Sequence, residues 1–260
     1  RVLTRTARPS AATFKGVTRR VHLGELTWTE LTQRASAPVL LIPVGSTEQH
    51  GPHLPLATDT LIAESLAQVL MIDLIGTHES SEAEPPCLIG PTLQVTSSGE
   101  HADFVGTLSI GAKVTEQTLI ELTRSADWAR GLLLINGHGG NHHSVSTAIA
   151  LLTTEQRNIT AWWPQIPAGD LHAGHSETSI MMYLHPELVR TDRVEPGAVR
   201  LTADDLHSLR SQGVRAVSEN GVLGDPRPST AAAGEDLFNK LRADLLATYL
   251  KRFPNDALSV

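Results

Sequence analysis

Four side chains able to bind a metal, Glu48, His50, His53 and Asp59, fall within twelve residues in the stretch VLLIPVGSTEQHGPHLPLATDT (39–60). Mixed carboxylates and imidazoles suit Zn(II), Fe(II) or Mn(II), whereas a structural zinc cage leans on thiolates. Glu48 and His50 are two positions apart, so an extended backbone points both side chains the same way. Asp59 stands where a helical pattern begins, and Thr58, Asp59 and Thr60 all have the chemistry of helix caps. The competing reading is that Asp59 only caps and the histidines are surface loop residues, because short motifs match by chance.

The elements around this stretch decide what it can do. The apolar run Val39 to Val44 reads as a buried strand ending at Gly45, which puts the polar loop at its C-terminal edge, where open α/β sheets place ligands. The third apolar strand, GLLLI (131–135), stops at Asn136-Gly137-His138-Gly139-Gly140-Asn141. The glycines let backbone or ligand approach a single imidazole, and the loop lacks the endings and spacing of phosphate-binding motifs. His138 therefore reads as a ligand rather than as turn chemistry. A strand within 159–163 precedes GDLHAGHSETS, which carries His172, His175 and Glu177. Glu177 lies near a helix N-terminus, which favours a carboxylate with or without a metal, and both histidines read equally as exposed loop residues. Three loops that each follow a strand emerge on one edge of a parallel sheet. A fourth loop, Ser97 to Gly106, adds His101 beside Glu100; an ordinary polar turn is an equal reading. Ser46, Ser144 and Ser179 do not lie in G-x-S-x-G, and Cys87 reads as core within a strand over 87–95.

The remaining pattern gives helices near 25–34, with Leu26 and Trp28 toward the core, and over 60–72, 115–129, 145–152, 180–184 and 231–250, with 190–228 irregular. Strand and helix alternate, which predicts an α/β fold with a mainly parallel sheet covered on both faces. At 260 residues the chain needs only one domain, read as 21–260. Residues 1–20 hold six basic side chains and no acid, and read as a basic flexible extension; the chain's net charge of −7 therefore leaves −13 on the other 240 residues. ESSEAEPP (79–86) reads as an acidic connector. The negative balance argues against non-specific nucleic-acid binding. No apolar run reaches the ~18 residues of a membrane helix. A single cysteine allows no internal disulfide and favours a reducing cytoplasm.

Four pieces in order, VGSTEQHGPHLPLATD, GEHADFVGT, NGHGGN and HAGHSETS, make the chain resemble the creatininase family of amidohydrolases. The resemblance implies a three-layer α/β/α fold with two divalent metal ions (Zn(II), Fe(II) or Mn(II)) at the C-terminal end of its sheet. Carried over by motif, Glu48, His50, Asp59 and His138 match metal ligands, Asp59 bridging, and Glu177 matches the fifth ligand of members with NGHGGN. His172 matches the catalytic histidine, and His101 is expected to orient substrate or stabilise an oxyanion. Asn136 and Asn141 are expected to brace the His138 loop. Hydrolases of creatinine itself have a glutamate where Gly140 stands and an acid where Leu171 stands, so these departures point away from creatinine. HAGHSETS with AVSENGVLGDPRPSTAAAG (216–234) is similar to a peptidase branch of the family, which removes a modified C-terminal Val-Tyr unit from a precursor peptide. The resemblance also implies a homo-oligomer, with a hexamer as one form. Two other readings stay open: a deformylase or cyclic-amide hydrolase acting on a small heterocycle, and a non-catalytic metal-binding scaffold in peptide maturation.

Overall fold

A computed structural model describes residues 20–76, 84–167 and 169–256. The basic leader before Arg20 and the start of the acidic connector lie outside the described residues. Four parallel strands form one sheet in the order β2-β1-β3-β4: β1 Val39–Val44, β2 Cys87–Ile89, β3 Gly131–Asn136 and β4 Ile159–Trp162. Every residue of β1 and β3 is buried, as expected for central parallel strands covered on both faces.

The period-two alternation of the strands divides the core into two layers. Val39, Leu41, Leu133 and Ile135 face one side. There they meet α2 (Thr58–Ile75), α5 (His175–Leu184) and α7 (Ala231–Arg252). Leu40, Ile42, Val44, Leu132 and Leu134 face the other, toward α3 (Ala112–Ser125) and α4 (His142–Thr154). The result is the three-layer α/β/α arrangement. Cys87 is fully buried, against Met71 in the first layer.

Several elements differ from the sequence reading. The short helix α1 spans Trp28–Thr32 and leaves Trp28 75% exposed; Leu26 does pack on the second layer, partly buried. The second strand stops at Ile89 instead of running to Val95. Pro43 of β1 has no N–H to offer on that side, and its carbonyl takes the amide of Leu93 after the chain has turned away at Gly90-Pro91. The irregular stretch 190–228 contains a helix, α6 (Ala203–Gln212), held by a capping box between Thr202 and Asp205. Among the described residues, no helix is long and apolar enough to cross a membrane.

Candidate metal centre

The loops after β1, β3 and β4 open on the same edge of the sheet, and their side chains converge. Asp59 sits in the first turn of α2 but does not cap it, since that helix start has no side-chain cap. Its two oxygens face different imidazoles: Oδ1 is 3.0 Å from His50 Nε2 and Oδ2 is 3.1 Å from His138 Nδ1. Ser46 donates its hydroxyl to Oδ2 at 2.7 Å. Glu48 lies between the same groups, with Oε2 3.3 Å from His138 Nε2 and Oε1 3.2 Å from His101 Nε2. His172 Nδ1 is 3.8 Å from Glu48 Oε1. Donor atoms of Glu48, His50 and Asp59 lie within 4.8 Å of one another, as do those of His50, His172 and Glu177. All five residues expected as ligands thus adjoin one centre, with His101 and His172 beside it.

Backbone carbonyls aim the rings. His50 Nδ1 meets the Glu48 carbonyl at 3.1 Å, His138 Nε2 the Ser97 carbonyl at 2.8 Å and His172 Nε2 the Gln49 carbonyl at 2.8 Å. A carbonyl only accepts, so each of these nitrogens carries the proton and the other ring nitrogen faces the carboxylates. That is the usual way a protein fixes a metal-binding imidazole. Asn141 braces the β3 loop by donating to the Gly45 carbonyl and to Asn136 Oδ1, each at 3.1 Å. Asn136 in turn donates to the His138 carbonyl at 2.6 Å. Glu177 accepts the Ala173 amide at 2.6 Å, which a left-handed backbone at Ala173 (φ 54°) turns toward it. The strand-like bridge between His172 and Leu223 ties the third loop to the segment after α6.

Electrostatics sort the imidazoles into two kinds. Burial disfavours a charge on His50, but Asp59, Glu177 and Glu48 outweigh it and raise its pKa to about 9. His138 is likewise held well above the ordinary value by Glu48 and Asp59 against the cost of burial. Burial, reinforced by His50 and His138, lowers His101 to about 3. Burial, His50 and His101 hold His172 well below the ordinary range. Burial pushes Glu177 up to about 7, with His50 opposing and Asp59 assisting. Two imidazolium protons therefore stand where cations would go, and two imidazoles stay neutral beside them. Cations entering the site would displace those protons.

The donor set fits a divalent pair. Both oxygens of Glu48 are fully buried and make no well-aligned hydrogen bond; they meet only imidazole nitrogens, at 3.2 and 3.3 Å, an arrangement that a cation between carboxylate and imidazole would satisfy. Nitrogen and oxygen donors without thiolate suit Zn, Fe(II) or Mn(II).

His53, grouped with the ligands by spacing, turns away: its Nε2 pairs with Thr178 Oγ1 at 2.8 Å. Sequence reasoning missed three contributors. Ser46 holds Asp59. Gln49, between two expected ligands, contacts both His101 and His172. Glu100 Oε1 lies 3.5 Å from His138 Nε2, in space that a side chain at position 140 would occupy. Glu100 was visible beside His101, but only the fold brings it to His138.

The profile of the creatininase (creatinine amidohydrolase) family matches residues 24–249. The chain therefore belongs to the creatininase family. It is 43% identical over 235 residues to the mycofactocin precursor peptide peptidase of Mycobacterium tuberculosis (strain CDC 1551 / Oshkosh), covering 90% of this chain and 92% of that one. Among solved structures it is similar to a Zn-Zn form of a creatininase mutant (TM-score 0.75, 26% identity, 91% of this chain and 100% of that one). It is equally similar to a Mn creatininase (TM-score 0.75, 25% identity, the same coverage). The family acts on amide bonds, and this chain is a hydrolase of that kind.

Proposed function

We propose that this chain is a metal-dependent peptidase that releases the modified C-terminal Val-Tyr unit from the mycofactocin precursor peptide, with two cations held by Glu48, His50, Asp59, His138 and Glu177. The observation that carries the metal chemistry is the Glu48 carboxylate, fully buried without a well-aligned hydrogen bond among the imidazoles and carboxylates of three loops. The similarity to the mycobacterial peptidase over nine tenths of the chain supports the substrate. Gly140 and Leu171, where hydrolases of creatinine carry acids, argue against creatinine itself.

Bound between these side chains, a divalent pair supplies Lewis acidity and brings water toward ionisation at neutral pH. The protein's own part follows from the tautomers. His172, neutral and with Nδ1 facing the centre, takes a proton from the attacking water and delivers it to the leaving amine. His101, neutral and with Nε2–H facing the same space, donates to the developing oxyanion. Asp59, with an oxygen toward each of two imidazoles, would help to hold the pair. The metal is zinc, iron(II) or manganese(II), the setting a reducing cytoplasm, and the assembly a homo-oligomer. Exposed Val105, Leu108, Ile110 and Val114 offer an apolar surface that such an assembly would bury.

The test is mass spectrometry of the modified precursor peptide after incubation with metal-loaded protein. The expected products are a truncated peptide and the released terminal unit. An intact peptide with Zn(II), Fe(II) and Mn(II) alike would overturn the proposal in favour of a scaffold, and turnover of small cyclic or formyl amides instead would move the substrate.

A further inference from the structure

Gln49 lies between Glu48 and His50 in the loop after β1, and its side-chain amide is held on both sides. Two glycines with left-handed backbone receive it. The amide of Gly51 (φ 65°) donates to Gln49 Oε1 at 2.8 Å. Gln49 Nε2 donates to the carbonyl of Gly221 (φ 82°) at 3.1 Å. A Cβ at position 221 would fall 1.9 Å from Gln49 Oε1, so glycine there makes room for the side chain. Because one backbone partner can only donate and the other only accept, the amide has one orientation.

Nε2 keeps a second hydrogen, and two ring nitrogens lie near it: His101 Nδ1 at 2.9 Å and His172 Nε2 at 3.1 Å. His172 Nε2 already carries a proton, since it faces the Gln49 carbonyl at 2.8 Å. The hydrogen therefore goes to His101 Nδ1, which must be bare, and His101 carries its proton on Nε2, 3.2 Å from Glu48 Oε1. We infer that Gln49 is a positioning residue that orients both histidines through two of its own groups, the side-chain amide fixing His101 as a donor toward the centre and the backbone carbonyl holding the Nε2 proton of His172, which turns its Nδ1 toward the centre. The rings sit side by side, centroids 4.5 Å apart, so one residue supplies the paired donor and base that amide hydrolysis needs. This rests on the proposed hydrolysis for its catalytic meaning, though the tautomers themselves do not.

The experiment compares zinc-loaded wild-type protein with Gln49→Glu and Gln49→Met, all with 15N-labelled histidine. It reads zinc content, ring-nitrogen protonation by long-range 1H–15N NMR without substrate, and kinetics on the modified peptide. In the wild type, His101 is protonated at Nε2 and bare at Nδ1, and His172 is protonated at Nε2. Gln49→Glu presents an acceptor where the donor was, which draws a proton onto His101 Nδ1. It lowers kcat about 10²–10³-fold, the loss typical of one oxyanion donor, with KM within about threefold and zinc content unchanged. Gln49→Met removes the donor without adding charge and serves if the glutamate variant does not fold. It releases His101 Nδ1 from its hydrogen bond, shifting that nitrogen's signal alone, and lowers kcat roughly 10-fold. A wild-type His101 protonated at Nδ1 would overturn the inference. So would a folded, zinc-replete Gln49→Met with unchanged His101 signals and wild-type turnover. Ring signals as expected together with an uncleaved peptide would instead count against the reaction.

Discussion

Replacing Gly137 by alanine tests how tightly the fold positions the centre. A Cβ at this position would stand 2.5 Å from the Asp59 carbonyl oxygen, 3.2 Å from the Asp59 carbonyl carbon and 3.4 Å from Ala63 Cβ. The closest partner is backbone in the first turn of α2 and cannot swing aside. Real contacts of this kind stay beyond 3.0 Å, so Asp59 and the His138 loop must separate by at least about 0.5 Å. Metal–ligand distances tolerate about 0.2 Å, and a displacement near 1 Å at a reacting centre costs about 10²-fold in rate. The expected outcome is a 10–100-fold weaker affinity for zinc and a loss in kcat/KM approaching 10²-fold. Overpacking should cost about 1–3 kcal/mol, a fall in Tm of roughly 3–10 °C for a chain of this size. Gly139, two positions away, has nothing within 4 Å of its ideal Cβ. Gly139→Ala should therefore leave stability within about 0.5 kcal/mol and metal affinity intact. Competition with a chromophoric chelator, thermal unfolding and peptide kinetics read all three effects. If Gly137→Ala binds zinc as tightly as Gly139→Ala, the close approach of β3 to α2 does not position the centre and the reasoning fails.

Other expectations follow from the same geometry. Glu48→Ala and His138→Ala should lose bound metal and activity yet keep the circular dichroism of the fold; full turnover of metal-free Glu48→Ala would contradict the assignment. His172→Ala should keep its metal and lose about 10²–10⁴-fold in rate, and unchanged turnover would remove its proton-transfer role. Burial, with His50 adding, lowers His53 to about 4 from 6.5. The unfolded chain then binds a proton that the folded chain refuses between those values, so this contribution is present above pH 6.5 and is lost as pH falls toward 4. The stability difference between wild type and His53→Gln should shrink by about 2 kcal/mol from pH 7 to pH 5, measured by urea titration; a constant difference would refute it. Phe238, fully buried where α7 packs beside Tyr183 of α5, should cost about 3–5 kcal/mol when cut to alanine, and a loss under 1 kcal/mol would show that this layer is not packed as described.

Much of this was legible in the sequence because the central strands are continuous apolar runs and each ends in a loop whose composition differs sharply from what precedes it. Val39–Val44 and GLLLI announce both the sheet and the edge where Glu48, His50, Asp59 and His138 emerge. What stayed hidden depends on contacts that spacing does not encode. His53 has the same composition signal as His50, yet three positions of turn carry its ring to Thr178. Gln49 reaches Gly221 across 172 positions, and the motif holding Gly221 shows no chemistry of its own. Helix α6 buries none of its residues fully, and Leu206 and Leu209 alone make a short apolar pair, so its Thr202–Asp205 capping box is the clearer mark of it in the sequence. Trp28 looks like core by type, but α1 is too short to turn it inward against the sheet.

The central claim is that Glu48, His50, Asp59, His138 and Glu177 together grip two cations. Anomalous diffraction from crystals of the zinc-loaded protein, with zinc quantified on the same sample, measures this directly. Two zinc ions per chain are expected, with Asp59 between them and the other four residues bound to one or the other. No ion among these five side chains in zinc-saturated crystals, or zinc held only elsewhere on the chain, would contradict it.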